Sequence, residues 1–134
     1  MGQCYSVSLI GLKFKDEQGV KEALHRKIAS DTENNRANYS LGHYFGELGL
    51  DPENACHLLR MIFGGWDARL DHINWEGREW LTCGFDASYG WESVMMEAFE
   101  DIAPYLQDGV ELNIDVDEGV DHAIVKDGQA VWTS

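Results

Sequence analysis

The sequence predicts an α+β fold, a mostly antiparallel sheet with helices packed on one face, and three observations carry that expectation. Val110, Leu112, Ile114 and Val116 alternate with Glu111, Asn113, Asp115 and Asp117, the pattern of a strand with one face buried and one face acidic. Trp91, Val94, Met95, Phe99, Ile102 and Leu106 recur at helical spacing, with Glu92, Glu97, Glu100 and Asp101 opposite them. Asp127-Gly128 separates two short β-rich runs, 123–126 and 129–132, and signals a tight hairpin. The full order reads β-α-α-α-β-β-α-β-β-β within one domain over residues 1–134.

The remaining elements follow in turn. Residues 5–15 are rich in β-formers, with Tyr5, Val7 and Leu9 on one parity and Ile10, Leu12 and Phe14 on the other. That change at Gly11 reads as one long strand with a bulge. Asp16 caps a helix that carries Val20, Ala23, Leu24 and Ile28 on its buried side. Residues 31–38 are polar and read as a loop, and 41–48 as a short helix ended by Gly49. Asp51-Pro52-Glu53 combines a capping carboxylate, a proline at the first helical position and an acid in the first turn. The helix it opens buries Ala55, Leu58, Leu59, Ile62 and Phe63 and stops at Gly64-Gly65. Residues 72–75 and 79–86 flank Glu76-Gly77 as a hairpin. Pro104 shortens the last turn of the Trp91 helix.

A chain of 134 residues with 44% hydrophobic residues is large enough for one packed core, and its two prolines mark no linker. The opening Met1-Gly2-Gln3-Cys4-Tyr5 lacks the basic and apolar segments of a secretory signal. Gly2 with Ser6 matches a myristoylation start only in outline, and no apolar run approaches a membrane span. Cys4, Cys56 and Cys83 are odd in number and widely spaced, which fits free thiols rather than a disulfide framework. The expectation is a cytoplasmic protein.

Charge is distributed unevenly. Residues 1–60 hold seven bases against eight acids, whereas residues 61–134 hold three bases (Arg69, Arg78, Lys126) against sixteen acids. Most of the formal net charge of −14 therefore sits on the second part. Concentrated like charge costs self-repulsion, repels nucleic acid and anionic membranes, and attracts basic partners. The candidate partner-binding residues are Glu92, Glu97, Glu100 and Asp101 on the helix, with Glu111, Asp115, Asp117, Glu118 and Asp121 on the acidic strand and its turn. Such an array can imitate a phosphate backbone, acting as a nucleic-acid mimic in a basic groove. No basic stripe interleaved with aromatics is present, so direct nucleic-acid binding is disfavoured.

Other chemistries are weaker. The run from Asp115 to Asp121 has alternate carboxylates, but Val120 and Lys126 stand where an EF-hand needs Gly and Glu. Five histidines (His25, His43, His57, His72, His122) and the three cysteines show no zinc-site spacing; a zinc site would have to join distant segments, such as Cys4 and Cys83 on neighbouring strands. No cofactor is otherwise implied. Ser88 lies between a strand and a helix without a Gly-x-Ser-x-Gly elbow, and Gly64-Gly65 follows a helix rather than opening one, so an enzyme is not expected. The five tryptophans (Trp66, Trp75, Trp80, Trp91, Trp132) read mostly as core, with Trp66 or Trp75 the candidates for an exposed anchor.

The segment Phe85-Asp86-Ala87-Ser88-Tyr89-Gly90-Trp91-Glu92, together with Pro104-Tyr105-Leu106-Gln107-Asp108-Gly109 and the opening Met1–Tyr5 residues, resembles small proteins of phages and mobile elements. That resemblance implies the anti-CRISPR and anti-restriction class of inhibitors and assigns no residue roles. The expected function is thus a non-enzymatic acidic inhibitor that binds a basic surface of a nucleic-acid-processing defence protein, a Cas nuclease first. The alternatives are an immunity-type protein neutralising a basic toxin and a zinc-binding domain.

Overall fold

The computed structural model describes residues 2–30, 49, 51–63, 73–74, 79–81, 85–88, 91–116 and 119–133. In chain order the elements are β1 (Gly2–Ile10), α1 (Glu17–Ser30), α2 (Ala55–Phe63), β2 (Ile73–Asn74), β3 (Glu79–Leu81), β4 (Phe85–Ser88), α3 (Trp91–Ile102), a 3₁₀ turn (Ala103–Tyr105), β5 (Glu111–Val116), β6 (Gly119–Lys126) and β7 (Gln129–Thr133). This is the α+β class and order read from the sequence. The helix expected over 41–48 lies outside the described residues.

The strands form one sheet, ordered β2-β3-β1-β5-β6-β7, with β4 also paired to β1, and every pairing is antiparallel. Strand β1 is its hub: Ser6–Ile10 pair with β5, Gly2–Tyr5 with β4 and Ser8–Ile10 with β3. Alternation decides which face is which. Tyr5, Val7 and Leu9 of β1, Leu112, Ile114 and Val116 of β5, and Ala123 and Val125 of β6 are all buried. Val7 pairs with Ile114, and Leu9 with Leu112, which pairs in turn with Ala123, so these residues share one face. The helices pack there: Phe99 of α3 meets the Trp132 ring edge-on at 6.2 Å, and Trp132 stands opposite Ala123. The other face, carrying Ser6, Ser8, Ile10, Asn113, Asp115, Val120 and His122, is not buried. One core cluster joins the covered face to Val20, Leu24, Leu58, Phe63, Met95 and Ile102 of the three helices.

Three local expectations are refined. The strand expected over residues 5–15 ends at Ile10, where its ladders with β3 and β5 both stop, and Gly11 follows in the left-handed conformation (φ +67°) that glycine adopts readily. Leu12 is buried beyond that glycine, and Phe14 forms an isolated bridge to Leu106. The strand expected over 79–86 is two strands, β3 and β4. Ser8 pairs with Leu81 but Tyr5 with Phe85, so β1 sets two residues against three and one continuous register cannot run through. Helix α2 starts at Ala55 rather than at Pro52: Asn54 accepts from the N–H of Cys56 (2.9 Å) and of His57 (3.2 Å) and is its cap. Asp51 instead closes the preceding turn, accepting from Glu53 N–H at 2.9 Å.

Other expectations hold in detail. Asp16 caps α1, its Oδ1 accepting from Gly19 N–H at 3.1 Å. Pro104 sits in the 3₁₀ turn that follows α3. Asp127 (φ 52°) and Gly128 (φ 75°) both take positive φ in the β6–β7 hairpin, the geometry of a type I′ turn.

Candidate functional site

The seven described carboxylates among the nine singled out from the sequence do not share one surface. Helix α3 lies on the covered face of the sheet, so its outer side looks away from the open face. On that outer side Glu97 is exposed and ion-paired with Lys27 of α1 at 2.6 Å. Glu100 accepts from the indole N–H of Trp132 at 2.9 Å, which ties α3 to β7, and Asp101 is exposed to solvent. Glu92, in the first turn, is half-buried.

Glu111 and Asp115 stand on the open sheet face, two residues apart in register from Asn113. Asp121, expected beside them, does not. It pairs with Ile114 and shares the parity of Ala123 and Val125, so it lies at the half-buried margin of the covered side. The reason is that β6 begins at Gly119, which places Asp121 inside the strand rather than in a turn. Asp117 and Glu118 lie outside the described residues.

Register also assembles a group that composition and spacing did not reveal. His122 of β6 sits between β5 and β7, with Nε2 2.8 Å from Glu111 Oε1 and Nδ1 2.6 Å from Thr133 Oγ1. A carboxylate only accepts, so Nε2–H donates to Glu111. Carboxylate, imidazole and hydroxyl stand in the order of a hydrolytic triad. Their setting differs: the trio lies on the solvent side of a sheet, and the backbone around it is engaged in the β5–β6 and β6–β7 ladders rather than converging on an oxyanion. The physical effect is to cross-link three strands and to fix Glu111 in place. The signal was absent from the sequence because it depends on Asn113 pairing with His122, and His122 with Thr133.

The same face holds an unanticipated apolar feature. Among the described residues the exposed large hydrophobics are Ile10 (36%), Val120 (53%) and Val131 (40%), and all three stand on the open face. Ile10, Glu111, Ile124 and Val131 form one row across β1, β5, β6 and β7. Ser8, Asn113, His122 and Thr133 form the next.

Cys56 and His57 stand apart from both faces, at the start of α2. Burial, and secondarily the Glu17 carboxylate, push the Cys56 thiol up to about 11. That opposes the thiolate a metal needs. His57 accepts from Asp51 N–H through Nδ1 at 2.8 Å. Partial burial holds its pKa below the ordinary value; Asp51 pulls the other way, and the charge on Arg60 lowers it further. Among the described residues no three His, Cys, Asp or Glu side chains cluster as a metal site. Cys83, His43 and His72 lie outside the described residues, as do Trp66 and Trp75. Among the described residues no helix is long and apolar enough to cross a membrane.

No family model, no curated protein and no solved structure matches the chain.

Proposed function

We propose that this chain is a non-enzymatic binding protein of the cytoplasm that docks on a basic surface of a nucleic-acid-processing defence protein and blocks its access to nucleic acid. A Cas nuclease is the first target to test and a restriction enzyme the second. The observation that carries the reading is the charge imbalance of residues 61–134, sixteen acids against three bases. Asp101 and Asp115, on opposite sides of the molecule, are both exposed. A groove that holds phosphates by Lys and Arg binds mainly through charge, so an acidic protein competes for it without imitating a base sequence. Occlusion needs no chemistry from the inhibitor, only charge and a surface of about 800 Å² on its side of the contact.

The test is a cleavage assay with a guide-loaded Cas nuclease, and in parallel a restriction enzyme, each given the chain before its DNA. Inhibition that weakens steeply between about 50 and 200 mM salt is the expected result. Replacing Asp115, Asp117 and Glu118 by Lys should abolish it while the circular dichroism spectrum stays unchanged. Full cleavage at every salt concentration by both enzyme classes rules out the assignment.

A further inference from the structure

We infer that the open sheet face is the docking surface and that its occupant is a basic amphipathic helix of the partner, laid along the row Ile10–Glu111–Ile124–Val131. The inference rests on the acidic-binding reading above and supplies the face and the chemistry of what covers it. Three observations lead to it.

The helices among the described residues all pack on one side of this sheet, while its other side carries every exposed large hydrophobic among them. Ile10, Ile124 and Val131 share one row and Val120 the same face, so these aliphatics are grouped rather than scattered singly, and a grouped apolar patch rimmed by polar side chains marks an interaction surface. The row also has the dimensions of a helix stripe. Neighbouring strands lie ~4.8 Å apart, which puts Ile124 ~10 Å and Val131 ~14 Å from Ile10 along the row. A helix rises ~1.5 Å per residue, so its positions i, i+7 and i+10 fall ~10.5 and ~15 Å along and meet the same three side chains. Position i+3 or i+4 then stands over Glu111, which His122 holds in place at 2.8 Å, and a Lys or Arg there would face a fixed carboxylate.

Charge selects the occupant. A second copy of this chain would bring a net charge of −14 against another −14, so self-association through this face is opposed. A basic helix meets the long-range field favourably and adds aliphatic burial on the row, which an unstructured polycation cannot do.

The experiment is an NMR titration of the full chain at low salt with two synthetic probes. One is a Lys/Leu helix with Leu at positions i, i+7 and i+10, and the other is octalysine. The helix should bind about tenfold tighter, and its shifts should gather at Ile10, Ile124 and Val131. Ile10→Thr with Val131→Thr keeps β-branched side chains on exposed strand positions, so the fold is preserved while apolar surface is lost. This double variant should remove the helix's advantage and leave octalysine binding and Tm unchanged. Equal affinities, or shifts gathered on α3, overturn the inference while leaving the acidic-binding reading standing. If neither probe binds, both fail. If sedimentation shows a dimer that the same double variant dissociates, the face belongs to a second copy and the inference is overturned.

Discussion

Gly19 of α1 packs directly on the Tyr105 ring: a methyl group added at Gly19 would stand 2.7 Å from ring Cγ and nearer still to Cδ1. Turning the ring about its own axis does not move Cγ, and the backbone that carries it is held by the N–H groups of Lys15 (2.8 Å) and Asp16 (3.0 Å) on the Tyr105 carbonyl. Two effects of Gly19→Ala therefore compete. The exchange gains at most the ~1 kcal/mol of a helix interior, and less in the first turn where Gly19 stands, while forced overpacking costs ~1–3 kcal/mol. Overpacking wins here, so Gly19→Ala should lower the urea midpoint. In a Tyr105→Ala background the same exchange should instead stabilise, and a double-mutant cycle reads the reversal directly. The same sign in both backgrounds would remove the steric explanation.

The elements legible in the sequence are those whose signal is local. Asp16 caps α1, Asp127-Gly128 turns β6 into β7, and Leu112, Ile114 and Val116 alternate because one face of β5 is buried. What stayed hidden depends on pairing. Ile10 shares the parity of Leu12 and Phe14 and so reads as lying beyond a bulge, whereas the pairing of β1 with β3 and β5 makes it the last residue of the strand. Asp51 is a good cap by residue type, yet it closes the preceding turn and Asn54 caps α2. Glu97, Glu100, Asp101 and Asp115 were legible as exposed, but the side each one faces is a tertiary fact. A helix on the covered face must point its outer carboxylates away from Glu111 and Asp115, and no spacing along the chain records that.

Trp132 joins β7 to α3 twice, by its edge-on contact with Phe99 and by its N–H to Glu100. Trp132→Phe keeps an aromatic ring but deletes the donor. The loss should be ~1 kcal/mol, as for a hydrogen bond near the surface. Glu100→Gln keeps an acceptor and should cost less. Chemical denaturation of the two variants checks the order, and a larger cost for Glu100→Gln would show that the carboxylate matters for another reason.

His57 gives stability a pH dependence with a definite sign. Its folded pKa lies below the ordinary 6.5, chiefly through burial, so the unfolded chain takes up the proton first as pH falls. The contribution is fully present above pH 6.5 and is lost as pH drops through that value toward the folded pKa. His57→Asn supplies an acceptor for Asp51 N–H that does not titrate. Urea unfolding at several pH values should show a shallower loss in the variant below neutrality. Identical slopes would mean that other groups set the acid response.

Cys56 should be slow to alkylate. A thiol raised to about 11 by burial and by Glu17 presents little thiolate at pH 8. Iodoacetamide labelling followed by peptide mass spectrometry should find Cys56 protected in the native chain and labelled in urea. Glu17→Gln removes one cause of the shift and should speed native labelling. Equal rates with and without urea would mean that the thiol is not shielded.

The division of the carboxylates between two faces predicts a division of kinetic roles. A single partner surface covers about 800 Å² and cannot touch the outer side of α3 and the open sheet face together. The covered set then controls dissociation, while the distant set acts through the field that steers encounter. If the open face docks, Asp115→Lys should raise the dissociation rate several-fold. Glu97→Lys with Asp101→Lys should instead slow association and flatten its salt dependence, leaving dissociation nearly unchanged. Surface plasmon resonance against the captured target separates the two rates. The reversed pattern, with dissociation moved by the α3 pair, would place the contact on the helical side, where Glu97 would have to exchange Lys27 for a base of the partner.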